Sequence, residues 1–265
     1  MIRTSARSEG ATRGPGTAPE RGSPLAGEGA PAQRPSPTGT ARLAPAGSIS
    51  GTTTARLQAA VTALAPALMA AGLLYHPHIG TPFDTRFLEM LAAAVAADPD
   101  RWALAHLLVA VGSGLLILAF LALRARLRAA GEERWSVLAL PFVVMGSVLF
   151  ALLPAMEFAP LAAAEAQVDI AAVQAALLPR FTPILRISAV VFAIGAVGFA
   201  AGIVRSALLS PALTWLTAGA LVVMAATRFV PLAAALLYIG PAAGIVAFWP
   251  LAYWMWRHAE SRVAP

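Results

Sequence analysis

Six apolar runs, each close to the length of a membrane-crossing helix, follow one another between residues 57 and 256. A helix needs about 20 consecutive apolar residues to cross the hydrocarbon core of a bilayer. The chain is 58% hydrophobic and only 12% charged, so a water-soluble fold could not cover its own core with polar side chains. We therefore predict an all-α, polytopic integral membrane bundle of about six transmembrane helices. The predicted spans are 57–75, 101–123, 135–156, 181–204, 210–229 and 231–256.

The segment before the first span has a different composition. Residues 1–54 are rich in Gly, Pro, Ala and Arg and contain few large apolar side chains. Such a segment cannot bury enough surface to offset its chain entropy, so we expect a disordered N-terminal tail. A start codon assigned too early is an alternative origin for it. The predicted organisation is a disordered Pro/Gly/Arg-rich cytoplasmic tail (1–54), a six-span bundle (55–258) and a short cytoplasmic C-terminus (259–265).

Two of the connections between spans carry helical patterns of their own. Residues 85–97 place apolar side chains on one face of a short helix, and residues 160–179 predict a further amphipathic or interfacial helix. Pro179 and Arg180 are then expected to separate this second helix from the fourth span.

Arginine distribution predicts the orientation. Most arginines near span ends fall in the tail, in the connection between the second and third spans, and after the sixth span. The positive-inside rule places such a side in the cytoplasm. We expect a multi-pass protein of the cell membrane with both termini cytoplasmic. The arginines form no stripe with interleaved aromatic residues, so no nucleic-acid partner is predicted.

Pairs of small residues four positions apart occur in three spans and permit close approach of helix backbones. The alternative is chance, because the chain is rich in Ala and Gly. The pairs are Gly198 with Gly202, Gly240 with Gly244, and Ala110 with Gly114.

The most informative feature is a set of ionisable residues expected near the outer ends of their spans: His76, His106, Glu157, Arg186 and Arg228. Such groups normally face a protein interior or a water-filled cavity. His106 shares a helix face with Trp102 and Ser113. It could relay protons, sense external pH or bind metal, or it could simply be hydrogen-bonded between helices. Glu157 with Arg186 or Arg228 predicts an interhelical ion pair; a solute or proton site is the alternative.

A metal site is a further alternative. His76, His78 and His106 could together supply three imidazole ligands, enough for zinc or copper. Against this, His76 and His78 flank a proline and do not form a helical pair, and the chain has no HExxH motif. Cysteine is absent, which excludes thiolate ligands and thiol catalysis. No cofactor and no catalytic residue are predicted.

These observations favour a non-enzymatic accessory or sensory bundle over an enzyme. A small-solute or proton-coupled permease is one alternative, and a metal-dependent membrane enzyme is another. The expected surroundings are the lipid bilayer and either a membrane protein partner or further copies of the same chain.

Overall fold

The computed structural model describes residues 51–80, 86–230 and 235–260. Within these ranges the chain forms helices and no strand, and six helices are long and apolar enough to cross a membrane. The all-α, six-helix prediction is confirmed, and the architecture is consistent with an integral membrane protein. The helices are α1 (Gly51–Tyr75), α2 (Phe87–Ala97), α3 (Pro99–Ala129), α4 (Arg134–Met156), α5 (Phe158–Glu165), α6 (Ile170–Ser206), α7 (Pro211–Ala226) and α8 (Gly240–Glu260).

Several predicted boundaries lie outside the described residues or differ from the structure. Residues 1–50 of the predicted tail and residues 261–265 are outside the described ranges, and so are residues 231–234 of the sixth span. Residues 51–54, which the sequence assigned to the tail, belong to α1. The fifth span ends in a 3₁₀ turn, Thr227–Phe229, and a π-helical turn, Ala235–Ile239, precedes α8.

The predicted separation of a loop helix from the fourth span is wrong. Residues 160–179 do not form one helix, because the chain leaves α5 at Glu165 and passes through Gln167, whose φ is +57°. The side chain of Asp169 then accepts a hydrogen bond from the backbone N–H of Ala172 and caps α6, which continues without a break through Pro179. Prolines are tolerated inside membrane helices because neighbouring groups satisfy the freed carbonyls.

The six long helices pack as a closed ring in chain order. α1 lies against α3, α3 against α4, α4 against α6, α6 against α7, α7 against α8, and α8 returns to α1. Phe120 fills the middle of the ring, with ring-centroid distances of 4.8 Å to Phe199, 5.2 Å to Phe248 and 6.0 Å to Phe192. The central part of the bundle is therefore packed with aromatic side chains.

Two helix pairs approach so closely that only glycine fits between them. In the α1–α3 pair, a Cβ on Gly72 would lie 2.8 Å from the carbonyl oxygen of Ala105, and one on Gly112 would lie 2.8 Å from the backbone nitrogen of Met69. In the α4–α6 pair, a Cβ on Gly146 would lie 2.6 Å from the backbone nitrogen of Phe192. These glycines allow the backbones of each helix pair to come into direct contact.

The three small-residue pairs named in the sequence lie in different environments in the structure. Gly198 faces Ala139 of α4, and Gly202 faces the carboxylate of Glu132, so this pair lies at a helix interface. Gly240 and Gly244 face Thr227 and Met224, at the end of the fifth span. Gly114 has no atom within 4 Å of its expected Cβ position. The Ala110–Gly114 prediction is therefore wrong for its glycine.

The two ends of the ring differ in polar chemistry. The end at which α1, α4 and α7 finish carries His76, His106, Glu157 and Arg228, and we call it the His end. The opposite end carries the arginines that flank the turn between α3 and α4. There Arg128 forms an ion pair of 2.9 Å with Glu133.

Candidate functional site

Three aromatic rings meet where α1 finishes and α3 begins. The ring centroids of His76 and His106 are 4.9 Å apart, and Trp102 lies 5.0 Å from His76 and 4.6 Å from His106. We call these three residues the His–Trp cluster. His106 and Trp102 are one helical turn apart on α3, while His76 follows the last residue of α1. The cluster thus joins the first two spans at the His end.

Hydrogen bonds define the tautomer of both imidazoles. Nδ1 of His106 lies 2.7 Å from the carbonyl oxygen of Trp102, and Nδ1 of His76 lies 2.7 Å from the carbonyl oxygen of Pro77. Because a carbonyl oxygen can only accept, each Nδ1 carries the hydrogen and donates it. In the neutral ring, Nε2 is then the nitrogen that can take up a proton or bind a ligand.

Glu157, which follows the last residue of α4, connects the cluster to α4 and α6. The indole Nε1–H of Trp102 donates to the backbone carbonyl of Glu157 over 3.0 Å. The side-chain amide of Gln174, from α6, donates to Oε1 of Glu157 over 3.2 Å. Both Trp102 and Gln174 are only 1% exposed. The carboxyl group therefore lies at a buried junction between α3, α4 and α6.

Two acceptor atoms at this junction have no hydrogen-bond partner. They are Oε2 of Glu157 and Oε1 of Gln174, both fully buried. An unpaired buried acceptor costs about 1–3 kcal/mol. A proton on the carboxyl group, or an ordered water, would supply a donor to these acceptors.

The environment of His76 favours its neutral form. Burial lowers the pKa of His76 below the ordinary value, the nearby charges of Arg101 and His78 lower it further, and the hydrogen bond to Pro77 opposes the shift. Arg101 itself donates to the carbonyl oxygen of Tyr75 over 2.8 Å. A proton added to His76 therefore enters an environment that disfavours positive charge.

The expected ion pair of Glu157 does not form. In the described ranges the ion pairs are Arg86 with Glu89 and Arg128 with Glu133, both exposed. Arg186 is exposed on α6. Glu157 contacts the amide of Gln174 instead, because that side chain is one of the few polar groups on the buried face of α6.

Arg228 occupies a different environment. Its guanidinium carbon lies 3.9 Å from the ring centroid of Phe192 and 4.2 Å from that of Phe150, within the range of cation–π contacts. Its Nη1 is buried without a hydrogen-bond partner. Arg228 lines a cavity of about 30 Å³ together with residues of α1, α3, α4, α7 and α8.

The three histidines proposed as metal ligands do not form one constellation. The ring of His78 stacks on Tyr238 with a centroid distance of 5.7 Å, and the two side chains are hydrogen-bonded. His76 and His106 face each other in the His–Trp cluster. In the parts of the chain that the structure describes, no group of three or more His, Cys, Asp or Glu residues is placed to hold a metal ion.

Sequence reasoning missed two members of the junction. The sequence placed Trp102 only on the helix face of His106, and the structure shows it buried and hydrogen-bonded. Its spacing of four residues from His106 indicated a shared face and could have placed it inside. Gln174 was passed over, although it is an uncharged polar residue in the middle of an apolar helical segment.

Comparisons with models of protein families, with curated proteins and with solved structures find no match to this chain.

Proposed function

We propose that this protein is a non-enzymatic multi-pass membrane bundle that senses pH at its His end. The observation that carries the proposal is the His–Trp cluster, which places two imidazoles 4.9 Å apart where two spans meet. The proposal includes an orientation with both termini in the cytoplasm, so that the His end faces the outside of the cell membrane.

The chemistry of the cluster supports a response to mild acid. Imidazole is the side chain whose ordinary pKa, about 6.5, lies closest to neutrality. Protonation of His76 at Nε2 places a cation beside the imidazole of His106 and near Arg101 and His78. Trp102, the third member of the cluster, donates to the backbone carbonyl of Glu157, whose carboxyl group contacts Gln174. Acidification then weakens the contact between the end of α1 and the start of α3.

The packing of the bundle supports a sensory role more than a transport role. Phe120, Phe192, Phe199 and Phe248 fill the centre of the ring. The cavity beside Arg228 has room for only a few water-sized groups. The close glycine contacts within the α1–α3 and α4–α6 pairs give movement at the His end a route to the rest of the bundle.

Hydrogen exchange tests the proposal on the purified protein in lipid nanodiscs. Backbone exchange is compared at about pH 7.5 and about pH 5, on either side of the ordinary imidazole pKa of about 6.5, after correction for the intrinsic rates. We expect faster exchange at the His end of α1 and α3 in acid, and no such change in His76→Gln. His258→Gln is the matched control, because His258 is an exposed histidine at the opposite end of the bundle. An acid response that persists in His76→Gln, or no response in the wild type, overturns the proposal.

The orientation has its own test, which the absence of native cysteine makes clean. Asp100→Cys places a thiol at the His end, and Glu133→Cys places one at the opposite end. In intact cells a membrane-impermeant maleimide should label the first variant and not the second. The reverse labelling pattern would place the histidines on the cytoplasmic side.

A further inference from the structure

The cavity beside Arg228 is lined by none of the residues of the His–Trp cluster. Besides Arg228 its wall includes Met69 of α1, Phe150 of α4, Met224 of α7 and Gly244 of α8. Most of this wall is apolar, so the guanidinium is its dominant polar group.

No carboxylate in the described ranges forms an ion pair with Arg228. Its Nη1 is buried with no hydrogen-bond acceptor. The two phenyl faces compensate part of the charge through their ring electrons. They cannot accept the in-plane N–H hydrogen bonds of the guanidinium. A cation held away from water normally has an anionic partner, and an anion in the cavity would supply one for Arg228.

The volume of the cavity suits a small ion. About 30 Å³ is space for a few water-sized groups, since one water needs roughly 10–15 Å³ on this measure. This volume matches an ion the size of chloride better than an amino acid or a sugar phosphate. Thr227, which also lines the cavity, uses its hydroxyl hydrogen on the carbonyl oxygen of Met224 and leaves the guanidinium as the donor for an anion.

We propose that the cavity between α1, α4, α7 and α8 is a binding site for a monovalent inorganic anion of chloride size, held by the buried guanidinium of Arg228. The bound ion accepts the hydrogen bond that Nη1 lacks and neutralises the charge. It also joins helices from opposite sides of the ring, so occupancy stabilises the ring as a whole.

Thermal unfolding in detergent tests this site with sodium chloride against sodium gluconate at equal ionic strength. Gluconate supplies the same charge but is too large for the cavity. We expect chloride to raise the Tm of the wild type saturably by several degrees, and expect Arg228→Gln to lose this rise. Arg186→Gln is the matched control, since it removes an exposed arginine from a neighbouring helix.

A second variant keeps the test decisive if Arg228→Gln does not fold. Gly244→Ala places a methyl group in the cavity wall, 3.2 Å from the flexible sulfur of Met224, and retains the arginine. It should weaken the apparent chloride affinity several-fold. Equal Tm values in chloride and gluconate overturn the proposal, and so does a chloride effect that survives in Arg228→Gln. Neither result depends on pH, so the sensory proposal is tested separately.

Discussion

A double-mutant cycle between Glu157 and Gln174 tests the central contact of the buried junction. The perturbation is replacement of each side chain by methionine, which has similar length and no hydrogen-bonding oxygen or nitrogen. The cycle needs Glu157→Met, Gln174→Met and the double variant. Each single change leaves the other polar group unpaired in a buried position, whereas the double change removes both groups.

The hydrogen bond sets the expected magnitude. It spans 3.2 Å, at the long end of normal N–H···O distances, which indicates a net contribution near 1 kcal/mol, and an orphaned partner adds about 1–3 kcal/mol to each single variant. The double variant should therefore lose about 1–2 kcal/mol less than the sum of the single losses.

The assay is reversible unfolding in mixed detergent micelles, followed by tryptophan fluorescence and extrapolated to zero denaturing detergent. A parallel cycle of Glu157→Met with Arg186→Met should give less than about 0.5 kcal/mol, the usual limit for independent sites. Strong coupling to Arg186 with none to Gln174 would refute the assignment of the amide as the partner of this carboxyl group.

Three further changes have expected outcomes. Trp102→Phe removes the indole donor to the Glu157 carbonyl and should cost about 1–3 kcal/mol in the same unfolding assay; a change near zero would contradict a buried hydrogen bond there. For His76, the folded pKa lies below the unfolded value of 6.5. The unfolded state therefore binds more protons as pH falls through about 6.5, so stability decreases over that interval and His76→Gln should flatten the profile. Glu132→Ala removes carboxylate oxygens that accept the backbone N–H groups of Trp135 and Ser136 at 2.6 and 3.2 Å. A lost cap of this kind costs about 1–2 kcal/mol, which thermal melts can detect.

The sequence predicted the number and approximate positions of the spans because long apolar runs have few alternatives. Helix ends were harder to predict, since they depend on packing outside the membrane. α3 continues to Ala129 because Leu127 is fully buried there and Arg126 reaches Gln58 of α1 over 2.8 Å. Neither contact can be recognised before α1 and α3 are known to be neighbours.

The site was hard to predict for the same reason, because the sequence does not show which helices are adjacent. The sequence identified four residues of the His end because they are ionisable and charge is costly in an apolar chain. They are His76, His106, Glu157 and Arg228. Pairing does not follow from residue type, since opposite charge suggested an arginine as the partner of Glu157 and the structure provides an amide. Helix rotation decides this, and Arg186 points away from the buried face on which Gln174 lies.

The closed ring allows the helices to be connected in a different order. α1 and α8 are neighbours along much of their length, with the indole N–H of Trp249 donating to the carbonyl oxygen of Ala63 over 3.2 Å. α1 starts, and α8 finishes, at the end of the bundle where the turn at Gly131 lies. A covalent link between them, with new termini opened at Gly131, would give a circular permutant in which every helix keeps both of its neighbours and crosses in the same direction.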